Sequence, residues 1–276
     1  MSQPPLLTDQ IALTRNRRRA AAAPALFLQQ AMADEVQERL IEVNRTFRNP
    51  AIVTGWPDLW ADTLPEAKII ADQDVLDLQS GAHDLVIHAL ALHWANDPIG
   101  QLIQCARALK PDGLLIATLF GGQTLNELRS ALAQAESELT GGLSPRVVPM
   151  ADIRDLGALL QRAGLNLPVA DSNPITVTYA DPIALMQDLR AMGENNALHG
   201  RLRQPTRRDV FLKASQIYHA QHAHQDGRIP ATFEIVTLTG WAPDDSQPKP
   251  LRPGSASQRL ADALSTQEHP LDPSEH

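Results

Sequence analysis

The fold is decided by residues 83–122, which read HDLVIHALALHWANDPIGQLIQCARALKPDGLLIATLFGG. Residues 85–89 form an apolar run, and residues 99–109 repeat apolar side chains at helical spacing. A tight turn then leads into a second apolar run at residues 114–120. This order of strand, helix and strand predicts one right-handed crossover unit of a parallel sheet. Since α/β proteins hold ligands at the carboxyl ends of such strands, the loop after residue 89 is a candidate site.

Helices and strands alternate on both sides of this unit. A helix is predicted after Pro24, and the pairs Asp97-Pro98 and Asp181-Pro182 predict the starts of two more helices. The pair Thr124 and Glu127 predicts a capping box at the start of another helix. The order of elements predicts a Rossmann-like, three-layer α/β fold with a mostly parallel sheet and an antiparallel C-terminal strand pair. The predicted strands are 51–54, 68–71, 85–89, 114–120, 175–179 and 232–239, and the predicted helices are 28–43, 99–109, 124–140, 152–163, 181–192 and 208–219.

Composition limits the classes of function. The 276 residues are 43% hydrophobic but only 4% aromatic, which predicts an aliphatic core. A net charge of −8 argues against broad binding to nucleic acid or to anionic membranes. The single cysteine, Cys105, lies in an apolar helix stripe and is expected to be a packed thiol. No apolar run reaches the roughly 18–20 residues of a membrane span, so a cytoplasmic protein without a transmembrane segment is expected.

The chain is predicted to have three parts. Residues 1–24 show no periodicity and are expected to form an N-terminal arm, in which residues 17–19 are a solvated arginine cluster or a docking patch for an acidic partner. Residues 25–243 form one domain with a helical insertion at about 181–220. Proline, serine and charged residues dominate residues 244–276, which predicts a mostly disordered tail.

Several motifs resemble class I S-adenosylmethionine-dependent methyltransferases. Residues 84–86, 92–94 and 109–113 match the second half of that family. A denser set is similar to one branch, which contains the methyltransferase-like assembly factor of mitochondrial respiratory complex I, an arginine hydroxylase, and its bacterial relatives. The malonyl-carrier-protein methyltransferase of biotin synthesis is a more distant relative. The resemblance covers about residues 7–264, and the denser motifs are residues 120–129, 141–145, 155–157, 162–164, 188–196, 230–233 and 240–241.

The cofactor half departs from the family. The family has a glycine-rich turn after its first strand, but here only Gly55 remains, followed by the bulky Trp56 and the rigid Pro57. Twelve residues, 56–67, separate Gly55 from the next predicted strand, and one parallel crossover alone needs roughly ten to twelve. The fold is therefore expected to be shortened by about one strand and helix on the cofactor side. The ribose-binding strand would be missing, and no residue would inherit its acid.

The resemblance also implies candidate site residues. Asp72 matches the acid that meets the adenine, and His93 and Trp94 are the candidate catalytic residues, unless Trp94 packs under the next helix while His93 caps the strand. His88 is a cofactor contact or a core histidine, and no metal site is expected. The implied cofactor-binding residues are Gly55, Asp72, Gln73, His88, Ala89 and Leu92. Candidate substrate or partner residues are Gly121, Gly122, Ser144, Glu194 and Asn195.

Three functions remain open from the sequence. The first is a family protein with a degenerate cofactor motif that binds S-adenosylmethionine and methylates an unidentified acceptor. The second is a non-catalytic docking factor for a respiratory complex I subunit, with Trp56 and Trp60 filling the cofactor crevice. The third is a protein-arginine hydroxylase of a complex I subunit, for which the sequence offers no recognisable metal-ligand set.

Overall fold

The sheet has six strands over residues 6–248, the part of the chain that the computed structural model describes. Its spatial order is β2-β1-β3-β4-β6-β5. The first four strands in this order pair in parallel, whereas β6 pairs antiparallel with both β4 and β5. The predicted fold class is confirmed. The strands are β1 (Pro50–Thr54), β2 (Lys68–Ala71), β3 (His83–Ala89), β4 (Leu109–Phe120), β5 (Asn166–Tyr179) and β6 (Ile229–Trp241).

Eight α-helices and a 3-10 turn at Leu92–Trp94 accompany the sheet within the described residues. Aspartate side chains cap several of them, as the sequence predicts: Asp97 accepts from the Gly100 amide and Asp181 from the Ala184 amide. None of these helices is both long and apolar enough to cross a membrane. The helices are α1 (Gln10–Ala20), α2 (Phe27–Val43), α3 (Pro57–Thr63), α4 (Pro98–Ala108), α5 (Asn126–Thr140), α6 (Ile153–Arg162), α7 (Pro182–Ala191) and α8 (Arg208–His222).

The core lies on both faces of the sheet and is mostly aliphatic. On one face, side chains of α2, α3, α5, α7 and α8 pack against the strands. On the other face, α4 and α6 pack around the buried Cys105, which confirms the packed thiol. The strands β1 and β3 are buried on both sides, as expected for the centre of a parallel sheet.

The predicted capping box is wrong. Helix α5 begins only at Asn126, after Leu125 in a left-handed conformation. The Thr124 hydroxyl donates to the backbone carbonyl of Glu234 (3.1 Å), and the Glu127 carboxylate accepts from the Thr232 hydroxyl (2.5 Å). Both side chains therefore tie the helix start to β6 rather than capping the helix, a tertiary contact that the local pattern does not reveal.

The N-terminal segment also differs from expectation. Residues 10–20 form the regular helix α1, capped by the Asp9 side chain. Residues 6–244 belong to one compact unit, so α1 is part of the same unit as the sheet. The predicted disordered tail lies outside the described residues, apart from residues 244–248.

Candidate functional site

Three parallel strands end side by side at one edge of the sheet and form a crevice. Thr54, the last residue of β1, pairs with Ala71 of β2 and with Ala89 of β3. The residues that follow, including Gly55 and Asp72, therefore lie at the same edge. In doubly wound sheets this edge is the usual position for a nucleotide ligand.

The guanidinium of Arg17 lies in this crevice. A methyl group placed on Gly55 would be 2.4 Å from Arg17 Cζ, so the side chain packs directly on the glycine backbone. Arg17 Nη1 donates to both carboxylate oxygens of Asp72, at 2.8 and 2.7 Å. The two side chains are only 12% and 11% exposed. A helix that the sequence did not predict thus closes the crevice.

Gly193 lies against both Arg17 and Trp56. Gly193 has a φ of 76°, and a methyl group there would be 3.0 Å from Arg17 Cγ and 3.2 Å from Trp56 Cζ2. Trp60 is fully buried elsewhere, with its indole N–H donating to Gln29 Oε1 at 3.1 Å. Trp56 therefore helps to wall the crevice, Trp60 anchors α3 to α2, and the space over Gly55 belongs to Arg17.

The position of Asp72 corrects one expectation. Only one described strand, β2, lies beyond β1, which agrees with the predicted shortening. However, β2 pairs directly with β1, and Asp72 follows its last residue. In dinucleotide-binding sheets, the acid that meets the ribose hydroxyls follows the strand beside the first. A carboxylate, that of Asp72, therefore lies at that position, because β2 is directly beside β1.

A buried acid organises the loop after β3. Glu194 Oε2 accepts from the Trp94 indole N–H at 2.7 Å and lies 3.2 Å from His93 Nε2. The His93 ring also packs on Phe120, with ring centroids 4.6 Å apart. Burial on its own raises the pKa of Glu194, but His93, Arg17 and Trp94 outweigh it and lower that pKa below its usual value. Glu194 is therefore a carboxylate at neutral pH.

Of the other predicted cofactor residues, Gln73 is exposed, whereas His88, Ala89 and Leu92 face the protein interior. His88 is fully buried, its Nε2 lies 2.7 Å from Gln101 Oε1, and burial lowers its pKa, so the ring is neutral. The same Gln101 of α4 donates to the backbone carbonyl of Gln73 at 2.9 Å, which links β3 to the loop after β2. Ala89 and Leu92 are both fully buried.

The predicted substrate residues fall into two groups. Ser144 donates its amide and hydroxyl to the carboxylate of Glu136, both at 2.9 Å, and Gly121 packs against the side chain of Glu234. These contacts give both residues a structural role, whereas Glu194 and Asn195 line a cavity. Gly122 lies beside the backbone of residues 150–151.

That cavity has a volume of about 590 Å³ and adjoins the crevice. Trp94 and Glu194 belong to its wall, while Gly193, the preceding residue, contacts Arg17. Buried side chains of β4, α5 and β6 line it, together with residues of α7 and α8. Within residues 6–248, no three His, Cys, Asp or Glu side chains are arranged to hold a metal ion.

The sequence patterns did not identify Arg17, or the cavity arginines Arg15 and Arg190, as site residues. A run of arginines is typical of a solvated surface, so Arg17 gave no local signal. The available signal was in α1 itself: Asp9 precedes the helix, and Ala12, Leu13, Asn16 and Ala20 recur on one buried face.

The chain is similar to known proteins in sequence and in fold. Residues 51–117 match the model of a family described as a methyltransferase domain. The crystal structure of the [4+2]-cyclase SpnF aligns with this chain over 88% of this chain and 99% of the SpnF chain. The sequence identity is 15% and the TM-score is 0.46.

Curated relatives are similar over about two thirds of the chain. The mitochondrial arginine-hydroxylase NDUFAF5 of Danio rerio is 41% identical over 199 residues, which are 72% of this chain and 62% of the relative. That of Dictyostelium discoideum is 46% identical over 184 residues, 66% of this chain and 42% of the relative. The malonyl-[acyl-carrier protein] O-methyltransferase of Laribacter hongkongensis is 38% identical over 177 residues, 64% of this chain and 57% of the relative. The chain thus spans about half the length of these proteins. The chain contains a region that matches the methyltransferase domain family, and it is similar to both of these branches.

Proposed function

We propose that this methyltransferase-family protein is a non-catalytic binding platform whose cofactor crevice is closed by its own helix α1. The ion pair between Arg17 and Asp72 over Gly55 carries the proposal. The proposed partner is a subunit of respiratory complex I during assembly, as the resemblance to the assembly-factor branch implies. The mitochondrial relatives named as arginine hydroxylases support the same branch.

While Arg17 occupies the crevice, the residues that line the crevice do not fit S-adenosylmethionine. The guanidinium takes both oxygens of Asp72, the acid that would accept from the ribose hydroxyls. It also lies against Gly55, where a close backbone approach to the ligand is needed. A sulfonium cation would meet a second cation in a partly buried site, where charge repulsion is stronger than in water.

S-adenosylmethionine-dependent methyl transfer is the second candidate, favoured by the position of Asp72 beside β1. The adjoining cavity, with Trp94 and Glu194 in its wall, would then hold the methyl acceptor. This function requires Arg17 to leave the crevice. Arginine hydroxylation is not favoured by any cluster of metal-ligating side chains within residues 6–248.

Calorimetry with S-adenosylmethionine separates the two candidates. We expect no binding to the unmodified protein, and weak binding to Arg17→Ala, in which Asp72 is free. The matched control is Arg19→Ala, an exposed arginine of the same helix. Micromolar binding to the unmodified protein would overturn the closed crevice and favour methyl transfer.

The partner is tested separately by cross-linking in cells of the source organism. We expect a complex I subunit to be cross-linked to the tagged full-length protein, and the same subunit to be recovered with Arg17→Ala. Failure to recover any complex I subunit from cells that are assembling the complex would refute the proposed partner.

A further inference from the structure

The cavity beside Trp94 has the size and lining of a ligand site. Its volume of about 590 Å³ is within the range of roughly 300–1,000 Å³ that is common for small-molecule pockets. Its lining combines an apolar floor with charged residues at the rim. The crevice that Arg17 closes is a separate space at the ends of β1 and β2.

The floor of the cavity is apolar. Phe120, Leu128 and Phe233 line it, and each is less than 5% exposed. Met186 of α7 and Phe211 of α8 add partly buried apolar surface from the other side. Such walls favour the apolar body of a ligand, because its transfer from water is favourable in proportion to the area buried.

The charges in the wall are predominantly positive. Four arginines line the cavity, and two of them are neutralised: Arg146 by Glu136 and Arg201 by Asp9. The other two, Arg15 of α1 and Arg190 of α7, have no side-chain hydrogen bond or ion pair within residues 6–248, and both are exposed at the rim.

The single acid in the wall does not offset these cations. Glu194 is the one Asp or Glu residue among the described lining residues, and it is already bonded to Trp94 and His93. A cationic ligand would therefore meet two free guanidinium groups and an acid that is already engaged. An anionic head group would meet two unpaired, fork-shaped donors that suit carboxylate and phosphate geometry.

We infer that this cavity binds an amphipathic anion, with its apolar body against Phe120, Leu128 and Phe233 and its head group between Arg15 and Arg190. The ligand class is a chain or ring of hydrocarbon that carries one carboxylate or phosphate. The site is independent of the crevice and extends the platform function from a protein partner to a small molecule.

Calorimetry with four twelve-carbon probes tests this ligand class: dodecanoate, dodecyl phosphate, dodecanol and dodecylamine, each below its micelle concentration. We expect the two anions to bind, dodecanol to bind more weakly, and dodecylamine not to bind. The tighter of the two anions identifies the head group. Equal binding of dodecylamine and dodecanoate would overturn the proposal.

Two sets of variants test the position of the ligand. The double variant Arg15→Ala/Arg190→Ala should bind the anions about ten- to a hundredfold more weakly, as expected for lost hydrogen bonds to charged groups. The matched control, Arg19→Ala/Arg162→Ala, removes two exposed arginines outside the cavity and should leave the affinity unchanged.

The variant Met186→Trp fills the cavity and should weaken binding of the anions and of dodecanol alike. Unchanged affinity in both Arg15→Ala/Arg190→Ala and Met186→Trp would refute the site. These measurements need no S-adenosylmethionine and no protein partner, so their failure would leave the closed crevice untouched.

Discussion

The ion pair between Arg17 and Asp72 is expected to contribute to stability far more than a surface pair. Nη1 of Arg17 lies 2.8 and 2.7 Å from the two carboxylate oxygens, and the side chains are 12% and 11% exposed. Breaking a fully buried pair by removing one partner costs about 3–5 kcal/mol, whereas an exposed pair contributes about 0–1 kcal/mol. With about a tenth of each side chain still exposed, we expect Arg17→Ala to lower the free energy of unfolding by about 2–3 kcal/mol.

A double-mutant cycle isolates the pair itself. Arg17→Ala, Asp72→Ala and the double variant should give a coupling free energy of about 2 kcal/mol. Urea unfolding followed by tryptophan fluorescence measures it, because Trp56 is at the wall of the crevice and Trp60 is fully buried in the core. The single variant Arg17→Ala should also lower Tm by about 4–12 °C, given about 2–4 °C per kcal/mol for a domain of this size.

The control is Arg19→Ala, which removes an exposed arginine of the same helix and should change stability by less than about 0.5 kcal/mol. If the coupling free energy between Arg17 and Asp72 is also below about 0.5 kcal/mol, the pair contributes no more to stability than an exposed ion pair does. Helix α1 would then not be held over the crevice by this pair.

Three other predictions concern acid, thiol chemistry and the start of α5. The amide of Ala12, together with Arg201, lowers the pKa of Asp9 from 3.8 to about 2. Ionised Asp9 therefore stabilises the folded state at pH values above its unfolded pKa, and this stabilisation is lost as the pH falls through about 2. The stability difference between the unmodified protein and Asp9→Asn should therefore be constant from about pH 5 to 7 and shrink below about pH 4; a constant difference down to about pH 2 would contradict this. Burial raises the pKa of the Cys105 thiol to about 12, so a thiol reagent at about pH 8 should modify it only after unfolding, and fast labelling of the native protein would contradict its burial. Glu127→Ala should destabilise by about 1–3 kcal/mol, since the Thr232 hydroxyl and amide lose their acceptor, whereas the exposed control Glu138→Ala should change unfolding in urea little; equal effects would contradict the tie to β6.

The strands and most helices could be predicted because their signals are local. Apolar runs located β1 to β4, and the Asp-Pro pairs at 97–98 and 181–182 located the starts of α4 and α7. The start of α5 could not be predicted from its capping pattern, because Thr124 and Glu127 bond to β6, more than a hundred residues away in sequence.

The candidate site was predicted only where it follows a strand. Gly55, Asp72 and the loop at Leu92–Trp94 come directly after β1, β2 and β3, so position in the chain located them. Glu194 was proposed as a substrate or partner residue, but its contact with Trp94 joins residues a hundred positions apart and has no local signal. Arg17 was placed in a solvated or partner-docking cluster, because its partner Asp72 and its neighbour Gly193 are both far away in sequence.

The attachment of α1 has a consequence for how the chain matures. The helix is held by Asn16 on the carbonyl of Asn195 and by Asp9 on Arg201, contacts that span 179 and 192 residues, and by a bridge from Thr8 to Leu198. During synthesis α1 leaves the ribosome before these anchors, which emerge only after most of the sheet has been made. These contacts can therefore form only once residues 195–201 have left the ribosome, so α1 is secured late in the synthesis of the chain.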